Sequence, residues 1–368
     1  MITFSNVSKR FSGAVPALDD VSFRVPTGAL VAVTGSSARG PGTAVRLVNR
    51  ILDPDAGAVS IDGVPVAVED PIALRRRIGY VTGEVGLFPH LTVLDNIVAV
   101  PRLLGGDLRL ARSHALDLLA LVGLVPADAG RFPNQLTGTE AHRVALARAV
   151  AASPAVLVLD EPFAGVEPAP RAEMRTLLRE VHRALGLTTV LATHHVDDAL
   201  ALGDLVVMLM TNGRLAQEDT ADELLGRPAN DDVRRFLGPG RGIRRLGLVT
   251  IADAPLSDGP VVTVDASADV ARAAAATGDS TWVVVVDEDR VPLGWADTAK
   301  LGRNGRVTDT ALLGIVDLLE DTTPLLDALD LLVRSPSRMS VRLNDDGHLR
   351  GVITSASINA ALPRLVGG

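Results

Sequence analysis

A glycine-rich loop at residues 35–43 has the spacing of a phosphate-binding loop. It reads Gly-Ser-Ser-Ala-Arg-Gly-Pro-Gly-Thr and lies between an apolar strand predicted at 30–34 and a helix predicted at 43–51. Backbone N–H groups at such a turn can point at an anion. Pro41, however, stands where a lysine would reach the phosphates, and Gly42 stands where a hydroxyl would bind Mg²⁺. Pro41 also lacks an N–H, so we expect weakened phosphate binding; a plain glycine-rich turn is the alternative.

Two further strand ends carry residues suited to phosphate chemistry. The apolar run 155–160 ends in Asp160 and continues with Glu161, and the run 188–193 is followed by His194. Asp160 is predicted to bind Mg²⁺ and Glu161 to polarise an attacking water, whereas a solvated acidic turn is the alternative. Because carboxyl ends of parallel strands share one edge of a sheet, these residues and the loop are expected to converge on one site.

The elements that must position these residues follow an α/β pattern. Up to about residue 236, short β-branched runs alternate with longer runs of helical period. The strands are nearly continuous in Val, Leu and Ala, which is typical of a parallel sheet covered on both faces. Strands are predicted at 30–34, 155–160, 188–193 and 205–210. Helices are predicted at 43–51, 111–122, 139–152, 168–185 and 196–202.

The chain changes character near residue 240. Residues 237–250 are rich in Gly and Arg without a strong period, and we interpret them as a linker. Residues 251–366 contain a weak internal repeat of strand, helix, strand, acidic turn and strand, with its first strands expected at 262–265 and 315–317. The sequence therefore predicts a domain at 1–236, a linker, and a second domain at 251–366.

Composition excludes several classes of protein. The 368 residues allow two or three domains, and 47% apolar with 22% charged residues is near the globular average. The absence of cysteine excludes disulfides and thiolate metal sites. A net charge of −8 argues against a general nucleic-acid binder. The nearly uncharged stretch 118–127 is too short to span a membrane, and the first residues do not resemble a signal peptide.

In chain order, the motifs of the first 236 residues resemble the nucleotide-binding subunit of an ABC transporter. They include the aromatic Phe11, the loop 35–43, Leu-Thr-Gly-Thr-Glu at 136–140 in the signature position, the Asp-Glu pair and His194 as the switch histidine. The resemblance implies a P-loop NTPase: a RecA-like core with a helical subdomain and an antiparallel β subdomain. The repeat at 251–366 is similar to a tandem CBS module, an α+β fold.

The same resemblance implies a role for each site residue. Phe11 stacks on adenine, Glu161 and His194 are catalytic, and Asp160 holds Mg²⁺. The remaining residues expected to bind ATP are Gly35, Ser36, Ser37, Gly40 and Thr43. Leu136, Thr137 and Gly138 are expected to contact the ATP of the opposite subunit.

Residues 49–50, 79–81 and 86–93 look most like importers of glycine betaine, proline and related quaternary amines. This implies an energy-coupling transport ATPase that uses ATP and Mg²⁺ and lies peripherally on the cytoplasmic face of the plasma membrane. Its partners would be membrane permease subunits, through them an extracytoplasmic solute-binding protein, and a second copy or a paralogous ATPase in a head-to-tail dimer. No nucleic acid is expected as a partner.

The departures from the family affect both halves of that dimeric site. Gly83 replaces the glutamine that would face Mg²⁺ and the permease, only Leu136 and Gly138 of the signature are unchanged, and Glu167 replaces an aspartate. Losing charge-assisted hydrogen bonds of roughly 1.5–3 kcal/mol each predicts two to four decades less phosphate affinity or turnover. A non-hydrolysing regulatory subunit is therefore the alternative to a working transport ATPase. A third alternative, an ABC ATPase without a membrane partner, fits poorly because such proteins usually carry two nucleotide domains in tandem.

Three smaller questions stay open from sequence. Arg39, two residues before Pro41, either supplies part of the missing charge or points into solvent. The CBS pair either binds a nucleotide, with Asp297 and Thr354 touching ribose or phosphate, or uses both residues as helix caps. The arginines near the linker either contact anionic lipid or are solvated. These arginines are Arg234, Arg235, Arg241, Arg244 and Arg245.

Overall fold

Apolar strands buried on both faces form the centre of the first of two units, Met1–Gly238 and Pro239–Gly368. The computed structural model describes residues 2–12, 15–277, 280–315, 318–344 and 346–366, with side chains up to residue 361. The strands of the first unit are β1 Ile2–Lys9, β2 Leu18–Val25, β3 Leu30–Thr34, β4 Ala56–Ile61, β5 Val64–Pro65, β6 Ile78–Thr82, β7 Val156–Asp160, β8 Thr188–Ala192, β9 Leu205–Leu209 and β10 Leu215–Asp219.

The helices of the first unit lie around two sheets. They are α1 Gly40–Val48, α2 Pro71–Arg76, α3 Val93–Ile97, α4 Ala99–Leu103, α5 Leu108–Leu121, α6 Gly138–Val150, α7 Pro168–Leu185, α8 Val196–Leu202, α9 Ala221–Gly226 and α10 Asp231–Leu237. One sheet has the order β10-β9-β3-β8-β7-β6 and the other β2-β1-β4-β5. In the larger sheet β9, β3, β8, β7 and β6 are parallel and β10 is antiparallel.

The neighbouring strands β3, β8 and β7 are parallel to one another and buried at every residue. Their carboxyl ends therefore lie side by side, as the sequence predicts for the site. Helix α1 packs between the two sheets, where its apolar residues Ala44, Val45, Leu47 and Val48 share a core with both. The helices α3, α5 and α6 share a separate core with the other face of the larger sheet. This arrangement fixes the loop that precedes α1 at the edge where the three strands end.

Helix α1 begins at Gly40, three residues before the predicted start, and ends at Val48. Pro41 lies in its first turn, where the missing N–H has no intrahelical partner to lose and the fixed φ suits a helix. Helix α6 likewise begins early, at Gly138, because Thr137 caps it. Helices α7 and α8 have the predicted bounds. Of the described residues, none belongs to a helix long and apolar enough to cross a bilayer.

The second unit contains two three-stranded sheets of the same design. Their orders are β11-β12-β13 and β14-β15-β16, each with one parallel and one antiparallel pairing. The strands are β11 Val261–Thr263, β12 Trp282–Val286, β13 Pro292–Asp297, β14 Leu318–Leu319, β15 Met339–Leu343 and β16 Leu349–Thr354. The helices are α11 Arg241–Leu246, α12 Ala268–Thr277, α13 Leu325–Arg334 and α14 Ser355–Val366.

Two sequence expectations concern segments of this region. The segment predicted as a linker contains α11, whose Leu246 is buried in the core formed with Leu325 and Ile353. Of the strand expected at 315–317, residues 316 and 317 lie outside the described residues, and the strand described there is β14. The repeated topology of the two sheets agrees with the internal repeat seen in the sequence.

Candidate functional site

A cavity of about 430 Å³ lies where α1 meets the ends of β7 and β8. Of the residues predicted from sequence, the cavity brings together Phe11, Thr43, Asp160, Glu161 and His194. Its other lining residues are Ser12, Ala38, Arg39, Gly42 and Arg46. Two arginines, two carboxylates and a histidine therefore face one space next to the glycine-rich loop, which is an arrangement suited to a phosphorylated ligand.

The loop before α1 is fixed by contacts with the adjacent strand β9. Gly35 has φ +135°, and a Cβ at this position would lie 2.0 Å from the Leu209 carbonyl oxygen, so only glycine fits. The Ser37 N–H donates to the same oxygen at 3.2 Å. The Ser37 hydroxyl is buried and accepts from the Gly40 N–H at 3.0 Å. The Ser36 hydroxyl lies 3.0 Å from the Thr211 hydroxyl.

Several loop donors thus already have partners inside the protein. The N–H groups of Ser37 and Gly40 are bonded within the loop region, and the Thr43 N–H donates to the Arg39 carbonyl at 3.0 Å. Pro41 has no N–H to offer. These N–H groups are therefore bonded within the protein, and weakened phosphate binding stays a prediction.

Asp160 is paired with an arginine that the sequence analysis did not single out. Its Oδ2 accepts from Arg46 Nε at 2.8 Å and from the Tyr80 hydroxyl at 3.1 Å. The Asp160 side chain is 5% exposed and that of Arg46 is 49% exposed. Partial burial lowers the pKa of Arg46, but the hydrogen bond and the charge of Asp160 shift that pKa upward overall. Burial and the Asp160 charge raise the pKa of Tyr80 to about 12.

These residues do not fit a resident Mg²⁺ ion. Mg²⁺ requires oxygen ligands in near-octahedral geometry. Gly42 and Gly83 have no side-chain oxygen, and Asp160 is held by Arg46 and Tyr80. No group of three or more His, Cys, Asp or Glu side chains among the described residues could hold a metal ion. The role of Asp160 as a metal ligand stays a prediction, and this arrangement does not favour it.

Glu161 and His194 lie together in the lining of the cavity. Glu161 Oε1 is 3.4 Å from His194 Nε2, and this oxygen is buried without a hydrogen-bond partner. Burial raises the pKa of the Glu161 carboxyl, while the charges of His194 and His195 oppose part of that shift. Glu161 also has φ +54°, a strained backbone conformation of the kind found at functional sites. The pair can therefore accept a proton from a water molecule that enters the cavity.

Arg39, the residue considered from sequence as a lysine substitute, lies over Phe11. Its Cζ atom is 5.9 Å from the centroid of the phenylalanine ring, within the range of a cation–π contact. Arg39 therefore faces the Phe11 end of the cavity. The arginine beside the strand ends is Arg46, four residues after Gly42 on α1. That helical spacing is the sequence signal that could have identified it.

The signature residues lie elsewhere on the unit. Thr137 caps α6: its hydroxyl accepts from the Glu140 N–H at 3.2 Å, and Glu140 Oε2 accepts from the Thr137 N–H at 2.7 Å. Glu140 also accepts from Arg131 at 3.1 and 3.2 Å. None of Leu136, Thr137 and Gly138 lines the described cavity, and their contact with the ATP of an opposite subunit stays a prediction.

The structure gives the contacts of several residues whose roles stay open from sequence, and it does not test whether the second unit binds a nucleotide. Asp297 accepts from the Ala299 N–H at 3.1 Å, and Thr354 accepts from the Ser357 N–H at 3.2 Å, so both act as helix caps. The arginines proposed as a lipid contact are partly engaged. Arg234 and Arg235 form ion pairs with Asp231 and Asp232, and Arg245 is buried.

Comparison with known proteins supports the same family. The family model described as ABC transporter matches residues 18–164, and the CBS domain model matches residues 309–364, the second copy of the repeat. The chain is 32% identical over 364 residues to the carnitine transport ATP-binding protein of Listeria monocytogenes, covering 97% of this chain and 91% of that protein. It is 33% identical to the osmoprotectant import ATP-binding protein of Salmonella typhimurium, covering 96% and 94%. It is 30% identical to the glycine betaine/carnitine/choline transport ATP-binding protein of Bacillus subtilis, covering 97% and 95%.

Solved structures show the same fold. A dimeric bacterial ABC transporter cassette is 28% identical, with a TM-score of 0.54 over 60% of this chain and 99% of that one. The same cassette has been solved in a post-hydrolysis state bound to ADP and phosphate, with the same TM-score of 0.54. A component of a Clostridium perfringens ABC transporter complex has a TM-score of 0.57 over 67% of this chain and 94% of its own.

Proposed function

The chain belongs to the ATP-binding subunits of ABC transporters, and from that premise we propose that it binds ATP in the cavity beside α1 and powers the import of a quaternary amine. The observation that carries this proposal is the convergence of the glycine-rich loop, Asp160, Glu161 and His194 at the ends of three neighbouring strands. The names of the relatives, which transport carnitine, choline and glycine betaine, support a compatible solute of that chemistry.

The predicted site residues other than Asp160 have the following roles in this proposal. Phe11 stacks on adenine, and the loop residues Gly35, Ser36, Ser37, Gly40 and Thr43 surround the phosphates. Glu161 accepts the proton of the attacking water, and His194, 3.4 Å away, orients that carboxylate. Two subunits, either identical or paralogous, pair head to tail so that residues 136–138 of one approach the ATP of the other. The dimeric cassettes of similar fold support this pairing.

A second groove supports a membrane permease as the partner. It has a volume of about 370 Å³ and is lined mainly by apolar residues, among them Ile72, Tyr80, Val100 and Leu103. Arg148 also lines it and donates to the Gly86 carbonyl at 2.7 Å, which ties the groove to the segment 86–93. We place the permease in this groove, with the chain peripheral on the cytoplasmic side of the plasma membrane. The extracytoplasmic solute-binding protein would act through the permease.

A non-hydrolysing regulatory subunit is the second candidate function. Pro41, Gly42 and Gly83 favour it because the lysine, hydroxyl and amide expected at these positions are missing. Glu161 and His194 favour the working ATPase. In either case the second unit is a candidate sensor: a cavity of about 210 Å³ lined by Trp295, Arg334 and Ser340 could receive a nucleotide.

The test uses the full-length chain and measures ATP binding and phosphate release together. We expect ATP binding with slow turnover in the natural sequence, and faster turnover in the double variant Pro41→Lys, Gly42→Thr. Glu161→Gln should lower turnover by about 10²–10⁴-fold while leaving ATP affinity unchanged, because it removes the proton acceptor and not the phosphate contacts. Binding without turnover would establish the regulatory candidate, and a failure to bind ATP would refute both.

A further inference from the structure

We propose that Arg46 is the phosphate-binding cation of this site and that it makes nucleotide binding independent of Mg²⁺. The ligand class is therefore a nucleoside triphosphate without its metal ion. This inference rests on the proposed ATP-binding function and identifies which form of the nucleotide the site recognises. It comes from one contact, the pairing of Arg46 with the carboxylate expected to face a metal.

The geometry leaves part of the Arg46 guanidinium available to a ligand. Its Nε donates to Asp160 Oδ2 at 2.8 Å, and a guanidinium has further N–H donors in a fixed plane. A Cβ built on Gly42 would lie 3.9 Å from Arg46 Nη2, so the outer edge of the guanidinium lies over the first turn of α1. Phosphate groups bind at this end of a helix. Arg46 is half exposed, whereas Asp160 beneath it is buried.

The glycine at position 42 is what leaves room for this pair. A Cβ there would lie 3.3 Å from Asp160 Oδ1 and 3.9 Å from Arg46 Cζ. A serine or threonine would therefore bring its side chain into close contact with the Asp160 carboxylate. Without a hydroxyl at position 42, a metal ion would lack one of its ligands. The Arg46 guanidinium lies next to the same position and supplies a positive charge there.

The charges also favour this arrangement over a bound divalent ion. Asp160 Oδ2 has two donors, Arg46 and Tyr80, so Mg²⁺ would have to displace both to reach that oxygen. Among the described residues, Arg39 is the other arginine that lines the cavity. A phosphate approaching the loop thus meets the Arg46 guanidinium, which forms stronger charge-assisted bonds than neutral donors do.

The first experiment measures the affinity of the full-length chain for a fluorescent ATP analogue, in excess Mg²⁺ and in EDTA. We expect the two affinities to agree within about threefold, and Arg46→Ala to weaken binding in EDTA by about 10–100-fold through the loss of a charge-assisted contact. Arg77→Ala is the matched control, because Arg77 is 50% exposed and paired with Glu69 in the same unit. It should bind as the natural sequence does.

A second pair of variants separates the roles of the two partners. If Asp160 were a metal ligand, Asp160→Asn would abolish binding in Mg²⁺. We expect instead that affinity in EDTA is retained or increased, because Arg46 is freed for phosphate. Arg46→Lys keeps the charge without the planar fork and should lose less affinity than Arg46→Ala, which also shows that the site remains folded.

The possible results distinguish the role of Arg46 from ATP binding itself. Binding that falls more than about tenfold without Mg²⁺, or that is unaffected by Arg46→Ala, overturns the role of Arg46 and leaves ATP binding intact. Absence of binding in both Mg²⁺ and EDTA, in a chain that melts cooperatively, refutes ATP binding itself and with it the role of Arg46.

Discussion

The phosphate loop and the signature segment both depart from their family patterns, and an arginine–carboxylate pair lies at each of them. At the signature segment Arg131 holds Glu140, which forms a reciprocal cap with Thr137 at the start of α6. Next to the phosphate loop the pair is Arg46 on α1 and Asp160 at the end of β7, and this carboxylate is the one expected to carry chemistry. The first pair stabilises a helix terminus, whereas the second changes which charges face the ligand.

Local contacts fix the backbone in both regions. The loop turns at Gly35 with φ +135°, and α6 begins at Gly138 directly after its cap. The two regions differ in which side-chain groups the substitutions removed. In the signature segment, the altered residue Thr137 caps α6 by accepting a hydrogen bond from the Glu140 N–H. Because Pro41 stands in place of a lysine, the positive charge near the phosphates has to come from another residue.

The largest expected effect is a difference in folding stability between alanine variants of Gly35 in the phosphate loop and Gly138 in the signature segment. Gly35→Ala should destabilise the first unit by at least about 3 kcal/mol, because its Cβ would overlap the Leu209 carbonyl at 2.0 Å and φ is positive. Gly138→Ala should change stability by less than about 1 kcal/mol, since nothing lies within 4 Å of its Cβ position. Urea unfolding of the full-length chain measures both. Equal losses in the two variants would show that the loop backbone is not the more constrained region.

An intermediate effect is expected where the two strand-end loops touch. A Cβ on Gly83 would lie 2.7 Å from Ala164 Cβ and 2.7 Å from the Glu161 carbonyl oxygen. Gly83→Ala should therefore cost about 1–3 kcal/mol through overpacking. Ala164→Gly in the same chain should recover part of that loss by removing one of the two contacts. The double-mutant cycle from urea unfolding measures the coupling; additive losses would mean that the loop moves away freely.

The sequence predicted the fold well where periodicity and burial act together. The strands β3, β7, β8 and β9 were placed within one residue at each end, because strands buried on both faces read as continuous apolar runs. Helix α7 was bounded by Pro168 and by Gly186, which is left-handed at φ 58°. The starts of α1 and α6 were missed because capping by Thr137 and the tolerance of Pro41 in a first turn depend on local geometry rather than on apolar period.

The sequence indicated several residues that line the cavity, but it did not indicate the ion pair between Arg46 and Asp160. Asp160, Glu161 and His194 could be expected at one edge because strand ends converge, whereas Phe11 was expected from the family resemblance. The partner of Asp160 is 114 residues earlier in the chain. Helical spacing places Arg46 on the same face as Gly42, but only the packing of α1 between two sheets decides that this face meets β7. Burial of Arg245 escaped prediction for the same reason, since tertiary packing overrides the usual exposure of arginine.

The smallest expected effect tests the pair in the signature segment and depends on pH. Hydrogen bonds from Arg131 and from the Thr137 N–H lower the pKa of Glu140 from 4.5 to about 2. A carboxyl whose pKa is lower in the folded state adds stability above its unfolded pKa, and that stability is lost as pH falls through the folded pKa. Glu140→Gln keeps the reciprocal cap, since glutamine can accept the same N–H, and removes only the charge.

We therefore expect the natural sequence to be slightly more stable than Glu140→Gln at neutral pH, with the difference shrinking to zero between pH 4.5 and about 2. Urea unfolding at a series of pH values measures it. Glu173→Gln is the control, because that carboxylate is 70% exposed and its arginine is 3.8 Å away. A difference that stays constant with pH would mean that Glu140 stabilises α6 through its cap alone. The signature pair would then contribute shape and no charge, and the contrast with Arg46 and Asp160 would be sharper still.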